Sequence, residues 1–198
     1  IYTAQPPECE TYDFKIVEIE PLEYGNYTDW LFSNYGNKFE SDFVMNFHGD
    51  GMIQNSSAWT DEFLDYDYTG APWPASWGMT NGGNGGFSLR SRKLCELVSA
   101  LYLPVRKDRV DRRDSDTLKK TLTTVIEIMG GVRGSGRLND PLTWESAEDY
   151  LICVSLEGYL KERGIKFCPA ELSFQFSTER VAMTCDNFFK SFGFHEIK

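Results

Sequence analysis

The order of strand-like and helix-like patterns along the chain constrains its fold more than any other feature. Segments with the alternating or wholly apolar character of short β-strands lie at residues 14–20, 42–47, 66–69 and 170–176. Apolar side chains at helical spacing mark three further segments, at residues 94–101, 118–129 and 151–160. Because strands and helices alternate, we expect an α/β fold with a mostly parallel sheet.

Each predicted helix carries a signal for its end. Pro104 should stop the first helix, the Gly130-Gly131 pair the second and Gly164 the third. The third helix opens on residues 146–149, whose serine and acids resemble a capping box. These boundaries predict three separate helices joined by loops.

Length and composition indicate one folded domain. The chain has 198 residues, of which 41% are hydrophobic and 15% aromatic, which suits a sizeable core and argues against disorder. No internal repeat or long low-complexity linker divides the sequence, so we expect a single domain over residues 1–198. The highly charged, then glycine- and arginine-bearing stretch at 104–141 predicts an insertion or a mobile segment within it.

Charge and cysteine usage exclude several classes of protein. The net charge is −10, and residues 1–70 hold fourteen acids against two bases, which disfavours nucleic acid as a partner. No apolar run approaches the roughly 18 residues of a membrane span. The five cysteines are odd in number, widely spaced and without a CxxC pair, which favours a reduced, intracellular (cytoplasmic) protein over a disulfide framework or zinc knuckle.

A possible metal site begins where the apolar segment 42–47 ends. His48 and Asp50 follow that segment directly, and ligands bind outside the carboxyl ends of strands in open α/β sheets. His195 is the other histidine of the chain, in an aromatic stretch near its end. Carboxylate and imidazole together can hold a divalent cation. The alternative is that Asp50 caps a turn and His195 is a half-buried aromatic neighbour.

Two adjacent acids, Glu148 and Asp149, form a second candidate site at the start of the third helix. Acids in a first helical turn stabilise the helix dipole and complete a cap, which is the structural interpretation. The functional interpretation is a general base that deprotonates an acceptor hydroxyl. The local sequence leaves both open.

The glycine-rich loop at 76–86 could bring backbone amides close to a phosphate or a sugar. It has neither the Gly-Lys-Ser/Thr of a P-loop nor the spacing of a dinucleotide fingerprint. Arg90 and Arg92 follow it and are either diphosphate contacts or ordinary surface arginines. Three tryptophans flank these motifs, namely Trp73, Trp77 and Trp144. Their side chains either stack on sugar rings or fill the core.

Five motifs in order resemble those of a poorly characterised glycosyltransferase-like domain family. The sequence FHGDGMIQN at 47–55 stands at the family's QxD strand end, FLDYDYTGAPW at 63–73 contains its YDYxGAPW segment, and NGGFSLRSR at 84–92 matches NGGxSLR. The ED pair at 148–149 and FGFH at 192–195, which resembles the family's late FGxH, complete the series. The resemblance covers most of the chain.

The resemblance implies a GT-A fold and a metal-dependent, inverting glycosyltransferase. In this family pattern Asp50 and His195 would bind Mn²⁺ or Mg²⁺ at the phosphates of a nucleotide-sugar donor, and His48 stands where a DxD motif has its first acid. Asp149 would be the base, and Glu148 would hold an acceptor or donor hydroxyl. The donor contacts would be Asn84, Gly85, Gly86, Trp73, Trp77 and Arg90. The acceptor would be a hydroxyl of a glycan, a protein or a small molecule.

Two features depart from the pattern and keep other functions open. The first strand and helix of a GT-A fold, which usually hold the nucleoside, have no counterpart, and residues 1–4 resemble the family's second strand. A non-catalytic glycan- or nucleotide-binding or structural protein on a decayed transferase fold is therefore an alternative. A metal-dependent phosphoesterase is a third function. It needs two clustered metal sites, which are hard to form with the two histidines of this chain.

Overall fold

A computed structural model of the chain describes residues 2–3, 17–22, 24–73, 83–111, 147–179 and 190–195. The strands are β1 (Tyr2–Thr3), β2 (Val17–Glu18), β3 (Phe43–Phe47), β4 (Gly51–Ile53), β5 (Tyr68–Ala71), β6 (Asn84–Ser91), β7 (Ser177–Glu179) and β8 (Gly193–His195). The helices are α1 (Tyr24–Asn34), α2 (Arg92–Asp111), α3 (Glu148–Tyr150), α4 (Glu157–Glu162) and α5 (Ala170–Phe176). A π-helical turn, Leu151–Ser155, joins α3 to α4, and 3-10 turns lie at Ser56–Ala58 and Asp61–Asp65.

Mixed small sheets replace the mostly parallel sheet that the sequence predicted. The first sheet has the order β3-β6-β5 and is antiparallel throughout. The second has the order β4-β8-β7, in which β4 and β8 are antiparallel while β7 and β8 are parallel, and β1 and β2 form a parallel pair. The α/β class is confirmed, but the mostly parallel arrangement is wrong. Parallel neighbours need long crossover connections, whereas here a short turn at residues 48–50 leads directly from one sheet to the other.

Strand β6 lies at the centre of the first sheet and is buried on both faces. Phe87 and Leu89 point from it into a largely aromatic cluster with Phe63, Phe176 and Phe192. The other face carries Ser88 and Arg90, and it meets the start of α3. The larger apolar cluster lies beyond, among side chains of α1, α2, the π-helical turn and α4. A strand enclosed in this way positions side chains on both faces with little freedom.

Two of the three predicted helical stripes are confirmed, but one predicted helix end is wrong. Leu94 and Val98 of α2 are buried, and so is the whole stripe of the third predicted helix, Leu151, Ile152, Ser155, Leu156, Tyr159 and Leu160. Gly164 has a left-handed backbone (φ 75°) two residues after α4, as its predicted role requires. Helix α2 continues through Pro104 to Asp111, because a proline removes one backbone donor without always ending a helix. Residues 104–111 are therefore helical.

The segment at 170–176 is a helix rather than the predicted strand. Alternation of Leu172, Phe174 and Phe176 favoured a strand, but α5 buries Leu172, Ser173 and Phe176 on one helical face and leaves Phe174 at 37% exposure. The strand predicted at 66–69 lies two residues further on, as β5. Residues 118–129, Trp77, Trp144 and Ser146 lie outside the described residues, as do residues 76–82 of the glycine-rich loop and 112–141 of the predicted insertion.

Three cysteines in the described part, Cys95, Cys153 and Cys168, are buried free thiols. Among the residues that the structure describes, no helix has both the length and the apolar character needed to cross a bilayer.

Candidate functional site

His48, Asp50 and His195 come together where the two sheets meet. The turn after β3 carries the first two residues, and the antiparallel pairing of Gly51 with His195 brings β8 alongside. The Nε2 atom of His195 lies 3.3 Å from Oδ1 of Asp50, and the two imidazole rings meet edge to face at 5.3 Å between centroids. We call these three residues the imidazole side of the site.

The donor atoms on the imidazole side suit one divalent cation. One potential ligand atom from each residue lies within 4.8 Å of the others. Ligands about 2.0–2.2 Å from one ion lie at most about 4.4 Å apart, so the three atoms are close enough for small side-chain shifts to bring them to a shared ion. Burial lowers the pKa of His48, which keeps its ring neutral and able to coordinate. Two imidazoles and one carboxylate favour Mn²⁺ or another transition metal over Mg²⁺.

Gly86 allows the His195 ring to lie against the backbone of β6. A Cβ atom at position 86 would stand 2.1 Å from Nε2 of His195, far inside van der Waals contact. The amide of His48 donates to the carbonyl of Gly86 at 2.8 Å, which fixes the turn against the same residue. Only glycine permits this approach.

Gly85 makes an equally close contact with the acidic pair. Its amide donates to Oδ2 of Asp149 at 2.9 Å, and a Cβ atom there would stand 2.1 Å from Oε1 of Glu148. The amide of Tyr150 donates to the other oxygen of Asp149 at 2.7 Å. Asn84, Gly85 and Gly86 are thus part of strand β6, not of the predicted loop, and the amides of the two glycines are used within the protein.

Arg90 holds Glu148 in place and is fully buried. Its Nη2 atom lies 2.7 Å from Oε1 of Glu148, and its guanidinium lies 5.5 Å and 5.3 Å from the ring centroids of Tyr35 and Tyr68. Arg90 was predicted to contact a diphosphate; in the structure its guanidinium has no exposed surface and is held by Glu148 and the two tyrosines. We call Arg90, Glu148 and Asp149 the carboxylate side of the site.

Asp149 has a raised proton affinity. Burial, and then the charge of Glu148, raise the pKa of Asp149 from its ordinary 3.8 to about 6, against the opposing hydrogen bonds from Gly85 and Tyr150. A base with this pKa is mostly ionised at neutral pH and still accepts a proton readily. The arrangement suits general base chemistry.

A cavity of about 540 Å³ borders the imidazole side. Side chains of α1 and β3 line much of it, and it reaches His48 and Gly49. Tyr27 in this lining donates from its hydroxyl to Asn46, whose amide donates to the carbonyl of Gly85 at 2.7 Å. The cavity has the size of a small-molecule site. Trp73, a predicted donor contact, is partly buried and packs against the larger apolar cluster.

Sequence reasoning missed Glu179. It lies on β7, opposite His195 in the parallel register, with Oε1 3.8 Å from Nδ1 of His195. A single acid in a three-residue strand carries no sequence signal for such a role. Only the strand order of the second sheet reveals it.

The chain matches the model of one protein family, DUF5672, over residues 23–195. The description of this family is "protein of unknown function". The chain belongs to the DUF5672 family. Residues of both sides of the site fall within the matched region. No curated protein and no solved structure matches the chain. Membership of the family assigns no activity to the chain.

Proposed function

We propose that this member of the DUF5672 family is a metal-dependent glycosyltransferase that moves a sugar from a nucleoside-diphosphate donor to a hydroxyl acceptor. One observation carries the proposal: the imidazole side, whose residues are of the types that bind metals, and the buried acidic pair contact the same strand. His195 lies against Gly86, and the acidic pair lies against the adjacent Gly85. Sugar transfer with inversion needs both a cationic partner for the diphosphate and a nearby base. The order of motifs from residue 47 to residue 195 supports the same class of reaction.

The imidazole side would receive the diphosphate. His48, Asp50 and His195 would hold Mn²⁺, which when bound supplies positive charge to the departing nucleoside diphosphate. The cavity beside His48 has room for the nucleoside, and we assign that part of the donor to it.

The carboxylate side would act on the acceptor. Asp149 takes the proton of the acceptor hydroxyl while the hydroxyl oxygen forms a bond to the anomeric carbon of the sugar. The bond from that carbon to the phosphate oxygen breaks, and its electron pair leaves with the nucleoside diphosphate. Arg90 orients Glu148 beside Asp149 through their 2.7 Å ion pair, and we assign to Glu148 a hydrogen bond from a substrate hydroxyl.

Binding and donor hydrolysis test the proposal together. Thermal unfolding is followed with Mn²⁺, with nucleoside diphosphates, and with both, and a panel of nucleotide sugars is then assayed for release of nucleoside diphosphate. We expect joint stabilisation by Mn²⁺ and one nucleoside diphosphate, and metal-dependent hydrolysis of the matching sugar donor. Asp50→Asn should lose both effects, whereas the exposed control Asp65→Asn should keep them.

Neither stabilisation nor hydrolysis with any donor would reject the transferase. Stabilisation by a nucleotide or glycan without turnover would favour the alternative, a binding protein on a decayed transferase fold.

The ligand set favours a second candidate function. Two histidines and one carboxylate also form the ligand triad of non-haem iron(II) oxygenases. Oxygen uptake that requires Fe²⁺ and a 2-oxo acid, with no hydrolysis of nucleotide sugars, would support that function instead. The oxygenase leaves the buried acidic pair without a role, so we prefer the transferase.

A further inference from the structure

Glu179 and Asp50 lie on opposite sides of the His195 ring. In the second sheet β8 runs between β4 and β7, and the register pairs His195 with Gly51 on one side and with Glu179 on the other. Asp50 precedes Gly51 and faces Nε2 of His195 at 3.3 Å, while Glu179 faces Nδ1 at 3.8 Å. The imidazole therefore has one acid for each of its nitrogens.

The two acids differ in their surroundings. The side chain of Asp50 is 49% exposed and that of Glu179 only 9%. A buried carboxylate requires hydrogen-bond donors, and it attracts them more strongly than an exposed one because little water screens its charge. Glu179 is thus the stronger acceptor for a proton on the ring.

Asn84 fixes the orientation of the Glu179 carboxylate. Its amide nitrogen donates to Oε1 of Glu179 at 2.9 Å, and its amide oxygen accepts from the backbone of Gly86 at 2.6 Å. The same Oε1 atom faces His195, whose ring lies against Gly86. One asparagine therefore ties the acid to the strand that supports the histidine.

We propose that Glu179 is a positioning residue that accepts a hydrogen bond from Nδ1 of His195 and so leaves the Nε2 lone pair facing Asp50 and a cation. An approach of roughly 0.8–1 Å turns the present separation into an ordinary hydrogen bond. Metal-binding histidines generally donate their second N–H group to such a carboxylate, which fixes the tautomer. The inference rests on the metal-binding part of the proposed function, not on sugar transfer.

Nitrogen NMR of the metal-free protein tests the tautomer directly. The chain has two histidines, so a His48→Asn variant assigns both signals. At pH 8, above the ordinary imidazole pKa of about 6.5, we expect the proton of His195 on Nδ1. Glu179→Leu should move it to Nε2, where Asp50 accepts it, and Glu179→Gln, which keeps a weaker acceptor, should give a mixture.

Mn²⁺ affinity, measured by calorimetry, is the second readout. We expect about a 10- to 100-fold loss for Glu179→Leu, a smaller loss for Glu179→Gln, and no change for the exposed control Glu171→Gln. The glutamine variant keeps the test decisive if the leucine variant does not fold. A wild-type proton on Nε2, or an unchanged tautomer and Mn²⁺ affinity in the Glu179 variants, would overturn the role of Glu179. If Mn²⁺ does not bind to the wild-type protein, the proposed function fails even where the tautomer is as expected.

Discussion

The two sides of the site, which meet at Gly85 and Gly86, differ in how their charges are balanced. On the carboxylate side Arg90 is 0% exposed, Glu148 3% and Asp149 8%, and the protein itself supplies their partners. On the imidazole side Asp50 is half exposed, and its described ion pair is a single contact with a histidine. The charged groups described on the first side are all buried, whereas the second side includes a carboxylate that faces solvent. Substitutions should therefore damage the fold on one side and ligand binding on the other.

Arg90→Met should have the largest effect on the fold. It leaves Glu148 buried without its cation, and breaking a buried ion pair in this way costs about 3–5 kcal/mol. Urea unfolding at pH 7 measures the loss. The control is Arg92→Met, which removes a partly exposed guanidinium near Phe39 and should cost less than about 1 kcal/mol. Equal, small losses for the two variants would mean that the sides do not differ as described.

Asp149→Asn should change how stability depends on pH. The pKa of Asp149 is raised in the folded state, so its contribution to stability is fully present below pH 3.8 and is lost as the pH rises through about 6. The unfolding free energy of the wild type should therefore fall relative to the variant between pH 4 and pH 8. The expected fall is about 3 kcal/mol, since one pKa unit corresponds to roughly 1.4 kcal/mol.

For Asp149→Asn, the unfolding free energy of the wild type and of the variant is measured by urea unfolding at each pH. Only the change of their difference with pH is compared, so any pH-independent loss of stability caused by the substitution does not affect the result. If Asp149 is the base, the rate of sugar transfer should also rise through the same pH range in the wild type alone. Parallel stability profiles would contradict the raised pKa.

Gly85→Ala and Gly86→Ala, a matched pair, compare the sides directly. Each new methyl group would collide with its neighbour at 2.1 Å, with Glu148 in the first variant and with His195 in the second. We expect Gly85→Ala to cost about 2–3 kcal/mol of unfolding free energy, because the closed network cannot move aside. Gly86→Ala should cost less, about 1 kcal/mol, because the displaced His195 ring borders the half-exposed Asp50, and it should weaken Mn²⁺ binding about tenfold. Calorimetry with Mn²⁺ and urea unfolding separate the two, and the reverse pattern would refute the comparison.

Asp50→Asn should have the smallest effect on the metal-free protein. Its carboxylate is half exposed, so the unfolding free energy in EDTA should change by less than about 0.5 kcal/mol. Mn²⁺ at a hundred times its dissociation constant should stabilise the wild type by about 2.7 kcal/mol and the variant hardly at all. A variant that is equally stabilised would remove Asp50 from the imidazole side.

The sequence predicts the local elements of this site better than their environment. The strand before His48, the stripes of α2 and of residues 151–160, and the end at Gly164 follow from periodicity and glycine chemistry. The sequence also predicts Asp50 and His195 as partners, and the structure brings them together. Their role as metal ligands stays a prediction, as does the GT-A fold.

Properties set by distant contacts could not be predicted. An arginine after a glycine-rich segment is typical of a surface, and nothing local shows that Arg90 enters the core to meet an acid 58 residues away. The alternation at 170–176 predicts a strand although the segment is a helix. In only seven residues, the apolar positions fit both the two-residue period of a strand and the 3.6-residue period of a helix. The proximity of Glu179 to His195 depends on the strand order of the second sheet, and no local sequence pattern indicates that order.

The π-helical turn at Leu151–Ser155 directly follows the acidic pair, and it makes the chain length there critical. Each residue of an α-helix turns the chain by about 100°, so deleting one residue from this wide turn would rotate α3 by that angle relative to α4. The stripe on α4 would stay seated in the core while Glu148 and Asp149 turned away from β6. Residue spacing between the acids and Tyr159 should consequently tolerate neither insertion nor deletion, even where the side chains within the turn can be exchanged.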